Sequence, residues 1–254
     1  MKAMLRKLAP PFVRTTYRNL KRRWQNNRNR NRTTEEVFTE IYTTNAWNPT
    51  AGKETDFNSG EGSRSESITR SYVACITRLS DELGFRGARF VDIGCGDMEV
   101  GRHLLPLAGD YVGVDIVEPL LEQLRAKYAS PTVRFEKHNV IEDPLPEGDV
   151  CFVRQVFQHL ANDQIVQILP KLSAYRFVFI SEHLPTDRED FTPNLDKPHG
   201  GDIRLYKKSG VVVTEPPFSL PKDKTEVVLD VPGHGFEGMS DAGRIETILY
   251  RPRG

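Results

Sequence analysis

The sequence predicts an α/β fold: one open, seven-stranded, mostly parallel sheet with helices on both faces and an antiparallel C-terminal hairpin. Three observations carry that prediction. Short apolar runs of strand length alternate with segments of helical periodicity between residues 88 and 181. The first run, residues 88–93, ends in Gly94-Cys95-Gly96, two glycines one residue apart. The second, residues 111–116, closes on Asp115-Ile116, with the carboxylate 19 residues after Gly96.

Glycine accepts positive φ and has no Cβ, so a strand that ends in this way lets backbone press against a ligand. The amphipathic segment 100–107 follows and predicts a helix whose first amides face that ligand. An acid about 20 residues beyond the glycine turn, at the next strand's tip, is placed to accept from both hydroxyls of a ribose. A dinucleotide site would have glycine at position 99, where this chain has Glu99. An acid there repels a pyrophosphate at a helix N-terminus. The ligand read from these residues is an adenosine without phosphate.

Residues 91–96 together with Asp115 resemble motif I and the acidic-tip motif of class I S-adenosylmethionine-dependent methyltransferases. The resemblance implies a Rossmann-like sheet and S-adenosyl-L-methionine as cofactor. It also implies cofactor contacts from Asp92, Gly94, Cys95, Gly96, Asp115 and Ile116.

The 254 residues suffice for one large α/β domain, and the formal charge is zero. That charge is unevenly spread. Residues 1–32 hold 11 of the 35 Lys and Arg and no acid, which leaves 24 bases against 35 acids in residues 33–254. A basic N-terminal segment (1–32) therefore precedes an acidic body (33–254). Cys75, Cys95 and Cys151 form no C-x-x-C pair, which fits a reducing compartment better than a disulfide framework or zinc knuckle. No run approaches the roughly 18 apolar residues of a spanning helix, and Arg6 and Lys7 interrupt the only candidate leader. A cytoplasmic protein is expected.

After Pro10-Pro11, the residues Val13, Tyr17, Leu20 and Trp24 form one helical stripe, with Arg14, Arg18, Lys21, Arg22 and Arg23 around it. Such a helix within residues 1–25 suits an anionic membrane surface, at the inner face of the membrane. It equally suits packing on the body, or nucleic acid. The polar stretch 26–32 reads as a linker.

From Thr33 the chain becomes domain-like, with a short helix over 35–42 and a turn at Trp47-Asn48-Pro49. Ser59-Gly60-Glu61-Gly62-Ser63 offers bare amides and hydroxyls ahead of a helix. The resembled family has a tryptophan and a serine-glycine turn over the cofactor here. Ser59, Gly60, Gly62 and Ser63 are thus expected on the cofactor, and Tyr42 and Trp47 on the acceptor. Ile68, Tyr72, Cys75, Ile76 and Leu79 mark the inner face of that helix, which Gly84 ends.

Residues 119–128 read as a helix with proline in its first turn, and 132–139 as the third strand. By resemblance, Asn139 and Val140 lie against the adenine; alternation turns His138 away, as a structural residue. The fourth strand, 149–153, runs into Arg154, Gln155 and His159, which match cofactor contacts and a frequent histidine position of the family. Asn162 caps a helix through Leu172, and 176–181 form the fifth strand with Glu182 and His183 at its tip. The long polar loop 187–210 carries His199, Asp202 and Arg204 and reads as functional. Residues 225–231 and 244–251 close the sheet.

A bound sulfonium needs an aligned nucleophile and, for an alcohol, a base. His183 is the first candidate, with His159 and Asp202 as others and Glu182, His199 and Arg204 around the acceptor. No metal is assigned, because the spacing of these groups is not diagnostic. The expected reaction is O-methylation of a small molecule or glycan, for instance a lipid-linked or surface-polysaccharide sugar. A nucleic-acid methyltransferase and a non-catalytic cofactor-binding protein are the alternatives. The net acidity of residues 33–254 counts against the former.

Overall fold

The computed structural model describes residues 11–47, 57–187, 189–235 and 241–253. Seven strands form one sheet in the order β3-β2-β1-β4-β5-β7-β6. They are β1 (Arg89–Ile93), β2 (Asp110–Asp115), β3 (Val133–Lys137), β4 (Val150–Arg154), β5 (Phe177–Leu184), β6 (Thr225–Pro232) and β7 (Arg244–Tyr250). The first five are parallel, and β7 enters antiparallel between β5 and β6. The order reverses between β2-β1 and β4, so β1 and β4 flank the switch point where open α/β sheets bind ligands.

Strands buried on both faces explain the unbroken apolar runs: β4 and β5 carry Phe152 and Phe179, which stack at 5.4 Å. Six helices accompany the sheet among the described residues: α1 (Pro11–Asn29), α2 (Thr34–Thr43), the single turn α3 (Glu61–Arg64), α4 (Glu66–Glu82), α5 (Glu118–Tyr128) and α6 (Asn162–Ile168). α4 lies against β6, and α5 against β3. Thr33 and Glu36 close a reciprocal capping box on α2.

Four local expectations are corrected. Residues 100–107 form two short 3₁₀ turns, Gly101–His103 and Leu105–Leu107, instead of an α-helix. Pro106 has no amide hydrogen for a continuing helix, and Gly101 weakens its start. α1 runs on through residues 26–29, which were read as linker. Ala161, not Asn162, is the N-cap of α6; the Asn162 side chain instead donates to Asn194 O at 2.7 Å. The fifth strand does not end at residue 181: pairing with β7 carries it through Leu184. Of the turn at 47–49, residues 48 and 49 lie outside the described residues, as do residues 1–10 of the basic segment.

Gly113 sits mid-β2 where a Cβ would meet the Phe135 ring at 2.8 Å and Cys95 Sγ at 3.2 Å. Replacing Gly113 by Ala should therefore overpack the β2–β3 face and cost about 1–3 kcal/mol. The expected readout is a lower urea midpoint with an unchanged m-value.

Candidate active site

The cavity opens at the C-terminal ends of β1 and β4. One end is built by the glycine turn. Gly94 and Gly96 adopt φ of 65° and 56°, and Gly94 N and Cys95 N both donate to Val114 O, at 2.7 and 3.0 Å. A Cβ on Gly96 would lie 2.4 Å from Ser59 Oγ and 3.3 Å from Tyr42 Oη, so only glycine admits this closure. Ser59 completes it: its Oγ accepts from Asp97 N at 2.9 Å, and its amide donates to Asp97 Oδ2 at 3.0 Å. The segment at 57–63 is thereby fastened across the turn.

Asp115 is buried at the tip of β2. Its carboxylate accepts from the amides of Gly96 (3.3 Å), Ile116 (2.8 Å) and Val117 (3.1 Å). Burial nonetheless pushes its pKa up to about 6. Asp92 accepts from Tyr111 Oη at 2.5 Å, and burial also raises it to about 6. At the end of β4, Arg154 is half-buried, with its buried Nε and Nη2 atoms lacking a hydrogen-bond partner; the Tyr72 hydroxyl also lacks one. Gln155 holds φ 57°, uncommon for a residue with a Cβ and of the kind found at ligand sites.

The cavity is lined by Ser59, Ser63, Asp92, Gly94, Cys95, Gly96, Asp115, Ile116, Asn139, Val140, Arg154 and Gln155 of the expected cofactor set. Gly60 and Gly62 stand behind them; a Cβ on Gly60 would meet Trp47 at 3.6 Å. Tyr72, Phe38 and His138 also line the cavity and were not expected there. β3 ends at Lys137, so alternation no longer governs His138, whose amide donates to Asp115 O at 3.1 Å. Tyr72 belongs to the apolar face of α4, and nothing in its spacing distinguishes a core tyrosine from one whose hydroxyl reaches a cavity.

The other end is aromatic. Tyr42 and Trp47 line it, their rings 5.2 Å apart, with Phe38 beyond. His159 completes this wall at 5.1 Å from the Trp47 ring. Its Nδ1 donates to Gly200 O at 3.2 Å, so the neutral ring leaves Nε2 as an acceptor, 3.3 Å from the Gln158 amide nitrogen. Burial, with Lys197 next, pushes His159 down to about 3 from 6.5. A ring neutral in the fold but protonated in the unfolded chain loses stability as pH falls from about 6.5 towards 3.

The remaining candidates lie elsewhere. His183, taken as the first choice of base, is in register with Ile245 inside the strand pair, and its Nε2 faces Ala242 O at 2.8 Å. It does not line the cavity, because β5 is longer than the apolar run that announces it. Asp202 faces α1, 3.7 Å from Arg22 Nε. His199 Nδ1 lies 3.3 Å from the Gln164 amide, also outside the lining.

Glu182 and Arg204 do not touch the cavity but shape its rim. Glu182 accepts from the amides of Phe157 and Gln158, both at 3.0 Å; burial raises its pKa to about 8 against the pull of Arg204. Arg204, 1 % exposed, donates to Leu195 O (3.0 Å), Phe157 O (3.1 Å), Gln158 O (3.2 Å), Leu160 O (2.8 Å) and Asn162 Oδ1 (2.8 Å). These five bonds use every donor of the guanidinium. The loop residue expected to bind an acceptor is instead the clamp of the segment bearing His159.

A sequence-family model described as a methyltransferase domain matches residues 90–175, roughly a third of the chain. Over these residues the chain is similar to a methyltransferase domain. The cavity fits S-adenosyl-L-methionine, the cofactor that the sequence resemblance implies: a buried acid at the β2 tip for a ribose, a turn closed to any Cβ, and orphaned donors on Arg154 for a carboxylate. The matched span holds the turn, Asp115 and His159, while Tyr42, Trp47 and Ser59 come from outside it.

Solved structures with a similar fold include the N-methyltransferase NodS from Bradyrhizobium japonicum WM9, at 12% identity and TM-score 0.49, covering 74% of this chain and 99% of that one. Human N-acetylserotonin methyltransferase in complex with SAM is 14% identical with TM-score 0.47, over 72% of this chain and 51% of that one. A putative S-adenosylmethionine-dependent methyltransferase from Listeria monocytogenes is 14% identical with TM-score 0.47, over 73% and 99%. No curated protein matches the sequence significantly.

Asp115→Ala should weaken S-adenosylhomocysteine binding ~10–100-fold by calorimetry, the loss of two hydrogen bonds to a charged group. Arg204→Met removes the charge facing the buried Glu182 and leaves the carbonyls of Leu195, Gln158 and Leu160 without a donor; it should cost about 3–5 kcal/mol in thermal or urea unfolding.

Proposed function

We propose that this methyltransferase domain transfers a methyl group to a hydroxyl of a small molecule or glycan. The observation that carries the reading is His159. It is the one residue among the expected bases that lines the cavity, and it sits in the aromatic wall beside Trp47 and Tyr42 rather than at the cofactor end. Its Nδ1 is committed to Gly200 O, so its proton is fixed on the far side of the ring. Nε2 is then an acceptor, and a substrate hydroxyl can take the place of the loosely held Gln158 amide.

When bound, S-adenosyl-L-methionine supplies an electrophilic methyl group. The chain's own residues do the rest. Phe38, Tyr42 and Trp47 give an apolar corner of inclined rings against which a sugar or aromatic ring can lie, and they exclude water from it. Holding a hydroxyl in line is worth on the order of 7–11 kcal/mol. His159 Nε2 accepts the hydroxyl's hydrogen bond, orients its lone pair away from the imidazole, and takes the proton released as the oxygen is methylated, passing it on to solvent. With its pKa at about 3, the ring remains neutral across the working range of pH and does not gate the reaction near neutrality.

Screening acceptors with labelled cofactor should find methylation of hydroxylated acceptors, sugars first, and none of the matching amines; preferential transfer to an amine would overturn the O-methyl reading. On the acceptor found, His159→Phe should lower kcat by ~10²–10⁴ while leaving S-adenosylhomocysteine affinity within about twofold. The acid limb expected from an ordinary histidine near 6.5 should be missing from the wild-type kcat profile.

A further inference from the structure

The apolar stripe of α1 lies on the exposed side of the helix. Val13, Tyr17, Leu20 and Trp24 are 41, 50, 58 and 62% exposed, and Leu20 and Trp24 exceed every other large apolar side chain among the described residues. A stripe left in water along one helix is costly and points to a partner. The opposite side of the helix is what holds it down. Arg22 reaches Asp202 and lies over the Tyr206 ring at 3.2 Å, and Asn29 donates to His199 O at 3.2 Å.

Charge selects the partner. α1 carries six Lys and Arg and no acid, and residues 1–10 add Lys2, Arg6 and Lys7. At about 100° per residue, Lys21 and Arg23 fall about 80° to either side of the Leu20–Trp24 line, and both are exposed. An apolar strip with aromatics, edged on both sides by long cationic side chains, is the form that lies in an anionic interface. The aliphatic stems follow the acyl boundary while the charges reach the headgroups. Nucleic acid offers the same charge but no phase for the exposed leucine and valine, and the body at residues 33–254 is net acidic.

We infer that α1 docks the protein on an anionic lipid bilayer, with Val13, Tyr17, Leu20 and Trp24 inserted and Lys21 and Arg23 on the headgroups. Docking is coupled to the cavity wall through a short path. The loop that α1 grips at His199 and Asp202 supplies Gly200 O to His159 Nδ1 and Gly201 O to Trp47 Nε1, the latter at 3.3 Å. The acceptor end of the cavity is thus tied to the docked helix. The docking itself stands on the helix alone and does not depend on the methyl acceptor.

Flotation of the full chain with phosphatidylcholine vesicles, with and without phosphatidylglycerol, tests this. The wild type should float only with the anionic vesicles and come off at high salt. Leu20→Glu with Trp24→Glu should abolish flotation, and Lys21→Glu with Arg23→Glu should weaken it at least ~10-fold. Both doubles replace exposed residues, so wild-type melting and S-adenosylhomocysteine binding should be kept. No flotation of folded wild type, or flotation that the Leu20 and Trp24 changes leave intact, overturns the inference. So does binding of a DNA or RNA duplex, or concentration-dependent dimerisation, in a protein that does not float.

Discussion

The site depends on one buried cation. The segment from Phe157 to Leu160 leaves the sheet just beyond β4 as a single 3₁₀ turn, whose own bonds leave the amides of Phe157 and Gln158 and the carbonyls of Gln158 and Leu160 to other partners. Arg204 takes three of its carbonyls and Glu182 takes two of its amides, from opposite sides. A guanidinium is suited to this because its donors spread in a plane and it stays charged when buried. Burial lowers its pKa, and the Glu182 carboxylate opposes that. The wall that carries His159 is therefore a single 3₁₀ turn held by the buried Glu182 and by a fan of hydrogen bonds from Arg204.

The electrostatics of the cavity follow from burial more than from pairing. Asp92 and Asp115 are both raised to about 6, while His159 is held neutral and Lys197 is brought down to about 7. At neutral pH two acids with pKa about 6 are mostly ionised, and the histidine beside them stays uncharged. A cationic sulfonium is favoured beside the two acids. An uncharged hydroxyl is favoured beside the histidine. As pH rises through the window from about 3.8 to about 6, the acids lose the protons that the fold retains and stability falls, opposite in sign to the contribution of His159.

The sheet was legible because its inner parallel strands are buried on both sides and read as apolar runs with a turn at the end, while the edge strand β3 alternates. Asp115 and the glycine turn were legible for the same reason: their chemistry sits at strand tips, where spacing along the chain is spacing in the fold. His183 and Glu182 failed because β7 pairs antiparallel with β5 and lengthens it by three residues, and long-range pairing leaves no local mark. Arg204 read as a ligand contact because a loop arginine usually meets solvent; only the three-dimensional course of residues 187–210 turns it inward. Residues 100–107 have the periodicity of a helix, and Pro106 is the signal that should have outweighed it. Tyr72 and His138 gave no signal at all.

The cavity draws its two ends from different parts of the chain. The donor end belongs to the strand tips between residues 92 and 155, whereas Phe38, Tyr42 and Trp47 come from one short helix and the turn after it. These three aromatics carry no strand of the sheet and share no backbone ladder with it. Tyr42 also bonds Ser59 Oγ at 3.0 Å beside the glycine turn, so a change there is felt at both ends of the cavity. The two ends can diverge at different rates only through side chains that serve one of them alone, as Phe38 does.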